Sequence, residues 1–216
     1  MNLGVSLSSL SRYEEAVKEY KKSIEIIERL VLSGRTEIEN ELAKAYMNLG
    51  NALCYLTRYE EAVEEYKKTI EIKERLVLSG RTEIENELAG AYVSLGNALR
   101  YLTHYEEAVK KYKKAMEIIE RLVERSQFWL YPDLLMCYGN MILLGSNKAD
   151  YKEYAMTSAS KVISLLLNLS VKGKITHQIA RIVTEFFKVI LENRFFTSEQ
   201  EKDVETLAEA FGITRN

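Results

Sequence analysis

Apolar residues recur at steps of three and four along most of the chain. In the stretch that opens at Arg58, Tyr59, Ala62, Val63, Tyr66 and Ile70 share one helical stripe, and glutamates and lysines fill the positions between them. A second stripe follows in Leu88, Ala91, Tyr92, Leu95, Leu99 and Leu102. Thr57 with Glu60 and Thr82 with Glu85 have the capping-box spacing that satisfies amides left unpaired at a helix start. Ser11 with Glu14 and Thr103 with Glu106 repeat it. Gly80 follows the last apolar turn and supplies a residue able to turn left-handed there. The pattern predicts paired helices of about 20 residues, each about 30 Å long, antiparallel because the links between them are short.

The pattern is an internal repeat. The 46 residues Arg12–Thr57 return almost letter for letter as Arg58–Thr103, and a third copy runs from His104 to about Val123. Such a chain reads as a stack of units that each bury a face against a neighbour. The first two copies differ at seven positions: Lys18/Glu64, Ser23/Thr69, Ile27/Lys73, Lys44/Gly90, Met47/Val93, Asn48/Ser94 and Cys54/Arg100. Gly50 and Gly96 fall in mid-helix, where glycine costs about 1 kcal/mol relative to alanine. Placed opposite Ala62 and Ala108, they read as packing residues that let paired helices approach.

Leu49-Gly50, Leu53, Ala62 and Tyr66, then Leu95-Gly96, Leu99, Ala108 and Tyr112, resemble the signature of the tetratricopeptide repeat (TPR) family. Leu3-Gly4, Leu7, Ala16 and Tyr20 match it in a first, incomplete unit. The resemblance implies an all-α fold, a right-handed superhelical solenoid of antiparallel helix pairs. The family's common period is about 34 residues; the lengthened unit here looks like those of kinesin light chain relatives. The small residue that the family places late in the second helix is Ser23, Thr69 and Ala115 in turn, and the proline that often follows is absent.

Beyond Val123 the register of residues fails. Pro132 and Asp133 look like the first residues of a helix through Leu134, Leu135, Tyr138, Ile142 and Leu143. Asp150 and Glu153 would cap another through Ala155, Ala159, Val162 and Leu166, with an enlarged turn at Gly145 to Ala149 between them. Ile175 to Phe196 is apolar on more than one side and reads as a helix buried between neighbours. Ser198 and Glu201 would cap a last helix, with Val204, Leu207, Ala208 and Phe211 on one stripe and Gly212 at its end. The expected organisation is residues 1–125 as TPR-like repeats and residues 126–216 as a degenerate fourth pair with C-terminal capping helices, in one solenoid.

Met1-Asn2-Leu3-Gly4 aligns with Met47-Asn48-Leu49-Gly50, so the first helix begins in its middle. Leu3, Leu7 and the apolar side of Tyr13 to Ile27 are then expected to form an exposed apolar edge. This edge raises an alternative role, self-assembly of copies through the uncovered first pair.

Composition narrows the function. The net charge is -2, with 20 basic and 22 acidic residues up to Arg125 and ten of each after it, so no basic stripe points to nucleic acid. No secretory leader or membrane-length apolar run is present, and Cys54 and Cys137 are spaced as free thiols of a cytoplasmic protein. No phosphate loop or zinc-ligand spacing occurs, and neither a cofactor nor a metal is expected. Cys137 with His104 or His177 as base is the one nucleophilic pair that can be written, and a buried cysteine on an apolar helix face is far commoner. The expectation is a non-enzymatic scaffold for protein–protein interaction.

By the resemblance, a concave groove lined by first helices holds a peptide or helix of a partner. The residues carried over are Lys44, Met47, Asn48, Asn51, Cys54 and Tyr55 in one unit, and Gly90, Val93, Ser94, Asn97, Arg100 and Tyr101 in the next. Asparagine offers a donor and an acceptor to an extended backbone, and tyrosine a rigid amphipathic surface. Four of the seven differences between the copies fall on this face. Either a binding face has diversified, or exposed positions have drifted after duplication. Relatives that grip acidic chaperone tails use lysines and arginines where this chain has Met47, Ser94 and Gly90; only Asn51 agrees, so a charged-tail clamp is not expected.

Overall fold

The computed structural model describes residues 2–125 and 128–213, and every regular element among them is helical. Contacts divide the chain into two compact units, Met1–Ile118 and Ile119–Asn216. In the first, α1 (Asn2–Ser9) packs on α2 (Tyr13–Leu32), α2 on α3 (Glu39–Tyr55), α3 on α4 (Tyr59–Leu78), and α4 on α5 (Glu85–Tyr101). α6 (Tyr105–Glu124) begins in this unit. In the second, α7 (Tyr131–Asn147) packs on α8 (Lys152–Val171) and on α9 (His177–Asn193), and the terminal α10 (Glu201–Ala210) caps α8.

The signature residues are the core. Ala16, Ala62 and Ala108 are buried with Tyr20, Tyr66 and Tyr112, as are Leu49, Leu53, Leu95 and Leu99. Gly50 and Gly96 are packing glycines, but what lies over them is a tyrosine ring and not an alanine. A Cβ at Gly50 would sit 2.6 Å from Cε1 of Tyr66, and one at Gly96 equally close to Cε1 of Tyr112.

The 46-residue period of elements outlasts that of residues. First helices α3, α5 and α7 begin at Glu39, Glu85 and Tyr131 and each has 17 residues. Second helices α4, α6 and α8 begin at Tyr59, Tyr105 and Lys152 and each has 20. The register beyond Val123 is thus lost in the side chains and kept in the helices, with one residue inserted before α8. A side-chain clamp follows the same spacing. The hydroxyls of Tyr46, Tyr92 and Tyr138 donate to Glu28, Glu74 and Glu120 on the preceding second helix.

Several predicted caps are replaced. Ser11, Thr57 and Thr103 do not cap the following helix; they end the preceding one with positive φ of 57°, 58° and 62°. Thr57 N–H donates to Cys54 O and Arg58 N–H to Leu53 O, both at 2.9 Å, which is the Schellman pattern usually built on glycine. Arg58 then starts α4, its guanidinium bonded to both carboxylate oxygens of Glu61 at 2.6 Å. Gly80 takes the expected left-handed role, with φ of 102°. Thr82 and Asp150 lie in short 3₁₀ turns before α5 and α8 and cap neither. The box at the last helix is Thr197 with Gln200, one residue earlier than Ser198 with Glu201.

The remaining differences are in packing. α7 continues to Asn147, so Gly145 is helical, pressed against Ala155 of α8, and the enlarged turn is absent. α9 buries one stripe, Ile179, Val183, Phe186, Phe187 and Ile190, while Arg181, Glu185, Lys188 and Glu192 are exposed; it is one-faced. Leu3 is 59% exposed as expected, but Leu7 is only 7% exposed, because it lies on the face of α1 turned to α2. Of the seven differences between copies, Ser23/Thr69 and Ile27/Lys73 concern the interior, where Thr69 and Lys73 are both buried. Lys73 is 1% exposed, and its Nζ donates to Asn40 Oδ1 on α3 at 3.1 Å and to Glu87 Oε2 on α5 at 2.5 Å. No helix among the described residues is long and apolar enough to cross a membrane.

Candidate functional site

Because α3 and α5 are equivalent first helices, their C-terminal halves present the same residue types one repeat apart. Between them, with the start of α4, lies a cleft of about 440 Å³. It is lined by Asn51, Cys54 and Tyr55 of α3, Ser94, Asn97, Ala98 and Tyr101 of α5, and Tyr59 and Tyr66 of α4. Six of the twelve carried-over groove residues therefore meet in one concavity. Lys44, Met47, Asn48, Gly90, Val93 and Arg100 do not line it. Lys44 pairs with Glu41 on its own helix at 3.1 Å. Arg100 lays its guanidinium over the Tyr101 ring, 4.7 Å from the centroid. Gly90 is exposed on α5.

The walls of the cleft are aromatic pairs. Tyr55 stacks on Tyr13 with ring centroids 4.5 Å apart, and Tyr101 on Tyr59 at 4.7 Å, both nearly parallel. Each pair joins the last turn of a first helix to the first turn of the second helix preceding it. Tyr55 remains 68% exposed and Tyr101 56%; one face of each ring is committed to its partner, the other face of Tyr55 is open, and that of Tyr101 carries the Arg100 guanidinium. Stacking fixes the rings before any ligand arrives, which lowers the ordering cost of a contact.

The floor is polar and neutral. Tyr66 donates its hydroxyl to Asn51 Oδ1 at 2.8 Å, and Tyr112 does the same to Asn97 Oδ1 at 2.7 Å. The Cys54 thiol lies 3.5 Å from the Tyr66 oxygen. The phenol has one proton and spends it on Asn51, so the thiol is the donor in that contact. Each asparagine thus has its acceptor engaged within the fold and its amide N–H groups left to donate, which modifies the donor-and-acceptor role expected of it. Burial pushes the Cys54 thiol and the Tyr66 phenol up, so both stay protonated at neutral pH. No residue lining the cleft carries a charge.

Sequence reasoning missed Tyr59 and Tyr66 as part of the cleft. The signal was present: Tyr13 and Tyr59 recur 46 residues apart, as do Tyr20, Tyr66 and Tyr112. Their periodicity on the second helices pointed to packing, and at the first turn it serves both purposes.

Nucleophilic chemistry has no comparable support. Cys137 is fully buried on α7, and burial pushes its thiol up to about 12, the reverse of what a thiolate nucleophile requires. Among the described residues no three His, Cys, Asp or Glu converge as a metal site would need.

A family model described as tetratricopeptide repeat matches residues 1–75, and a second with the same description matches residues 88–127, together more than half of the chain. No curated protein sequence matches it. Among solved structures, BtubC (BKLC) from P. vanneervenii superposes with a TM-score of 0.68 at 16% identity, covering 97% of this chain and 76% of that one. A Podosopora anserina protein described as a putative kinesin light chain with nearly identical TPR-like repeats gives 0.69 at 15% identity, covering 98% and 90%. A point variant of that fungal protein gives 0.68 at 14% identity with the same coverages. At these identities the likeness is one of fold.

Proposed function

The chain belongs to the tetratricopeptide repeat family, and from that premise we propose that it is a non-enzymatic scaffold whose α3–α5 cleft holds an uncharged, extended segment of a partner protein. Repeats of this family generally mediate protein–protein interaction. The observation that carries the finer reading is the charge-free lining: two asparagine amides, 46 residues apart in sequence, whose N–H groups remain to donate, set among tyrosine rings. Amide donors match the carbonyl oxygens of an extended backbone, and the aromatic walls match apolar side chains between them. A cleft without lysine or arginine gives no reason to select an acidic tail. Free thiols at Cys54 and Cys137 suit a cytoplasmic setting.

The test is selection of unstructured peptides from a displayed library on the native chain, followed by affinity measurement on two variants. Tyr55→Ala with Tyr101→Ala removes the walls, and Ser94→Trp fills the cleft from a half-buried position. We expect selected peptides to be poor in Asp and Glu and to lose at least tenfold in affinity on both variants, with helical circular dichroism unchanged. Peptides that bind both variants as tightly as the native chain would place the ligand elsewhere.

A further inference from the structure

The groups that the α3–α5 cleft leaves uncommitted narrow what it can hold. The acceptor of Asn51 is taken by the Tyr66 hydroxyl at 2.8 Å, and that of Asn97 by the Tyr112 hydroxyl at 2.7 Å. The Tyr66 oxygen in turn faces the Cys54 thiol at 3.5 Å. What the floor still offers a ligand is the amide N–H groups of the two asparagines. The hydroxyls of Ser94 and the wall tyrosines can turn either way and set no requirement of their own. An ordinary extended segment brings an N–H with each carbonyl, and an N–H pressed on this floor loses its water without gaining an acceptor. Proline has a carbonyl and no N–H. The polyproline II helix makes no internal hydrogen bonds, so all its carbonyls are free to accept.

The walls suit the same occupant. Tyr55 is held on one face by Tyr13, which is not among the lining residues, so the face that remains is the one a ligand meets. Tyr59 and Tyr101, both in the lining, are held by stacking on each other. Aromatic-lined grooves take proline-rich segments because ring packs on ring and the bound conformation already exists in the free peptide. Here both sides are fixed beforehand, the tyrosines by stacking and proline by its closed φ, so little freedom is lost on binding. We propose that the occupant of the cleft is a proline-rich segment of a partner protein in the polyproline II conformation. One pyrrolidine ring lies on the open face of Tyr55, and the segment's carbonyls accept from the amides of Asn51 and Asn97. The proposal rests on the reading of this cleft as the working groove, and narrows that reading from any uncharged extended segment to one class.

The probe is an oligoproline of about ten residues, about 30 Å long in this helix, compared with the same peptide carrying alanine at alternate positions. Fluorescence anisotropy against the native chain should show the oligoproline binding about tenfold more tightly or better. Asn51→Asp keeps an oxygen for the Tyr66 hydroxyl and removes the N–H donors, and it should weaken the oligoproline by about tenfold. Tyr55→Ala should do the same with helical circular dichroism unchanged, since the side chain is largely exposed. Tyr55→Trp, which restores a ring face, should keep the binding. Equal binding of the two peptides, or none by either, overturns the proposal, as does oligoproline binding that survives both Asn51→Asp and Tyr55→Ala. The groove itself is judged separately. Peptides without proline that are selected on the native chain, and that lose affinity when Tyr55 and Tyr101 become alanine, leave the groove in place and remove only its assignment to proline.

Discussion

At the scale of single residues, two kinds of position run against the ordinary preferences of their side chains. Thr57 and Thr103 are β-branched residues held at positive φ, a region that costs an L-residue about 1–2 kcal/mol. Neither hydroxyl replaces the cap that was expected of it. Thr57→Gly and Thr103→Gly should therefore each raise stability by about 0.5–1 kcal/mol, the strain relieved being partly offset by the entropy of glycine in the unfolded chain. Thermal or urea unfolding checks the sign. Lys73 is the second case. Its burial is tolerated because Asn40 and Glu87 meet its ammonium, yet replacing a buried pair by an apolar residue of similar size is often neutral or stabilising by about 1–4 kcal/mol. Lys73→Ile, which installs the residue of the sister copy, should leave stability equal or higher. Glu87→Ala should lower it by about 1–3 kcal/mol, because a buried charge loses its carboxylate. Urea titration of both variants reads the contrast. If Lys73→Ile is instead the more damaging of the two, the ammonium contributes to the fold beyond its pair.

At the scale of elements, what the sequence made legible follows from where each signal resides. Helix pairs and their buried faces are written in local periodicity, and through the repeats they stand as read; α9, read as buried on more than one side, buries one stripe, and α7 runs on through the turn expected at Gly145. The ends of α1, α3 and α5 are not so written, because threonine and serine favour N-caps and only the backbone reveals that φ is positive. Lys73 could not be placed in the core from sequence, since its partners lie 33 and 14 residues away. Six groove residues meet in the cleft because first-helix register is periodic. Arg100, in contrast, folds over its own neighbour, a rotamer choice with no periodic signature. The glycine-to-tyrosine contact is the element-scale feature with a clear energetic sign. Alanine is the better helix former by about 1 kcal/mol, but at Gly50 or Gly96 its methyl would meet a fully packed ring at 2.6 Å. Overpacking of this kind costs about 1–3 kcal/mol, and the tyrosine cannot retreat without breaking its bond to Asn51 or Asn97. Gly50→Ala and Gly96→Ala should each lower the unfolding midpoint despite the gain in propensity. Gly90→Ala, on the exposed face of α5 with nothing near its Cβ, should raise it.

At the scale of the whole molecule, near-identity of the copies means that one can be removed without disturbing the chemistry of the joint. Deleting residues 58–103 connects Thr57 to His104, which is the register that Thr103 has now. Tyr112 would then cover Gly50 in place of Gly96 and donate to Asn51 in place of Asn97, contacts that Tyr66 already makes with those residues. Arrays of this kind are stabilised by a sum of unit and nearest-neighbour terms, so the shortened chain should fold with unchanged ellipticity per residue and a lower unfolding midpoint. It should also lose the peptides selected on the α3–α5 cleft, because Tyr59, Ser94, Asn97 and Tyr101 leave with the deleted copy. A shortened chain that aggregates, or that loses helix out of proportion to its length, would show that the two copies are not interchangeable. Lys73, the one interior position at which they differ in charge, would then be the first place to look, because Asn40 loses its partner in the deletion. Restoring the midpoint with Asn40→Leu in the shortened chain would identify that unpaired amide as the cause.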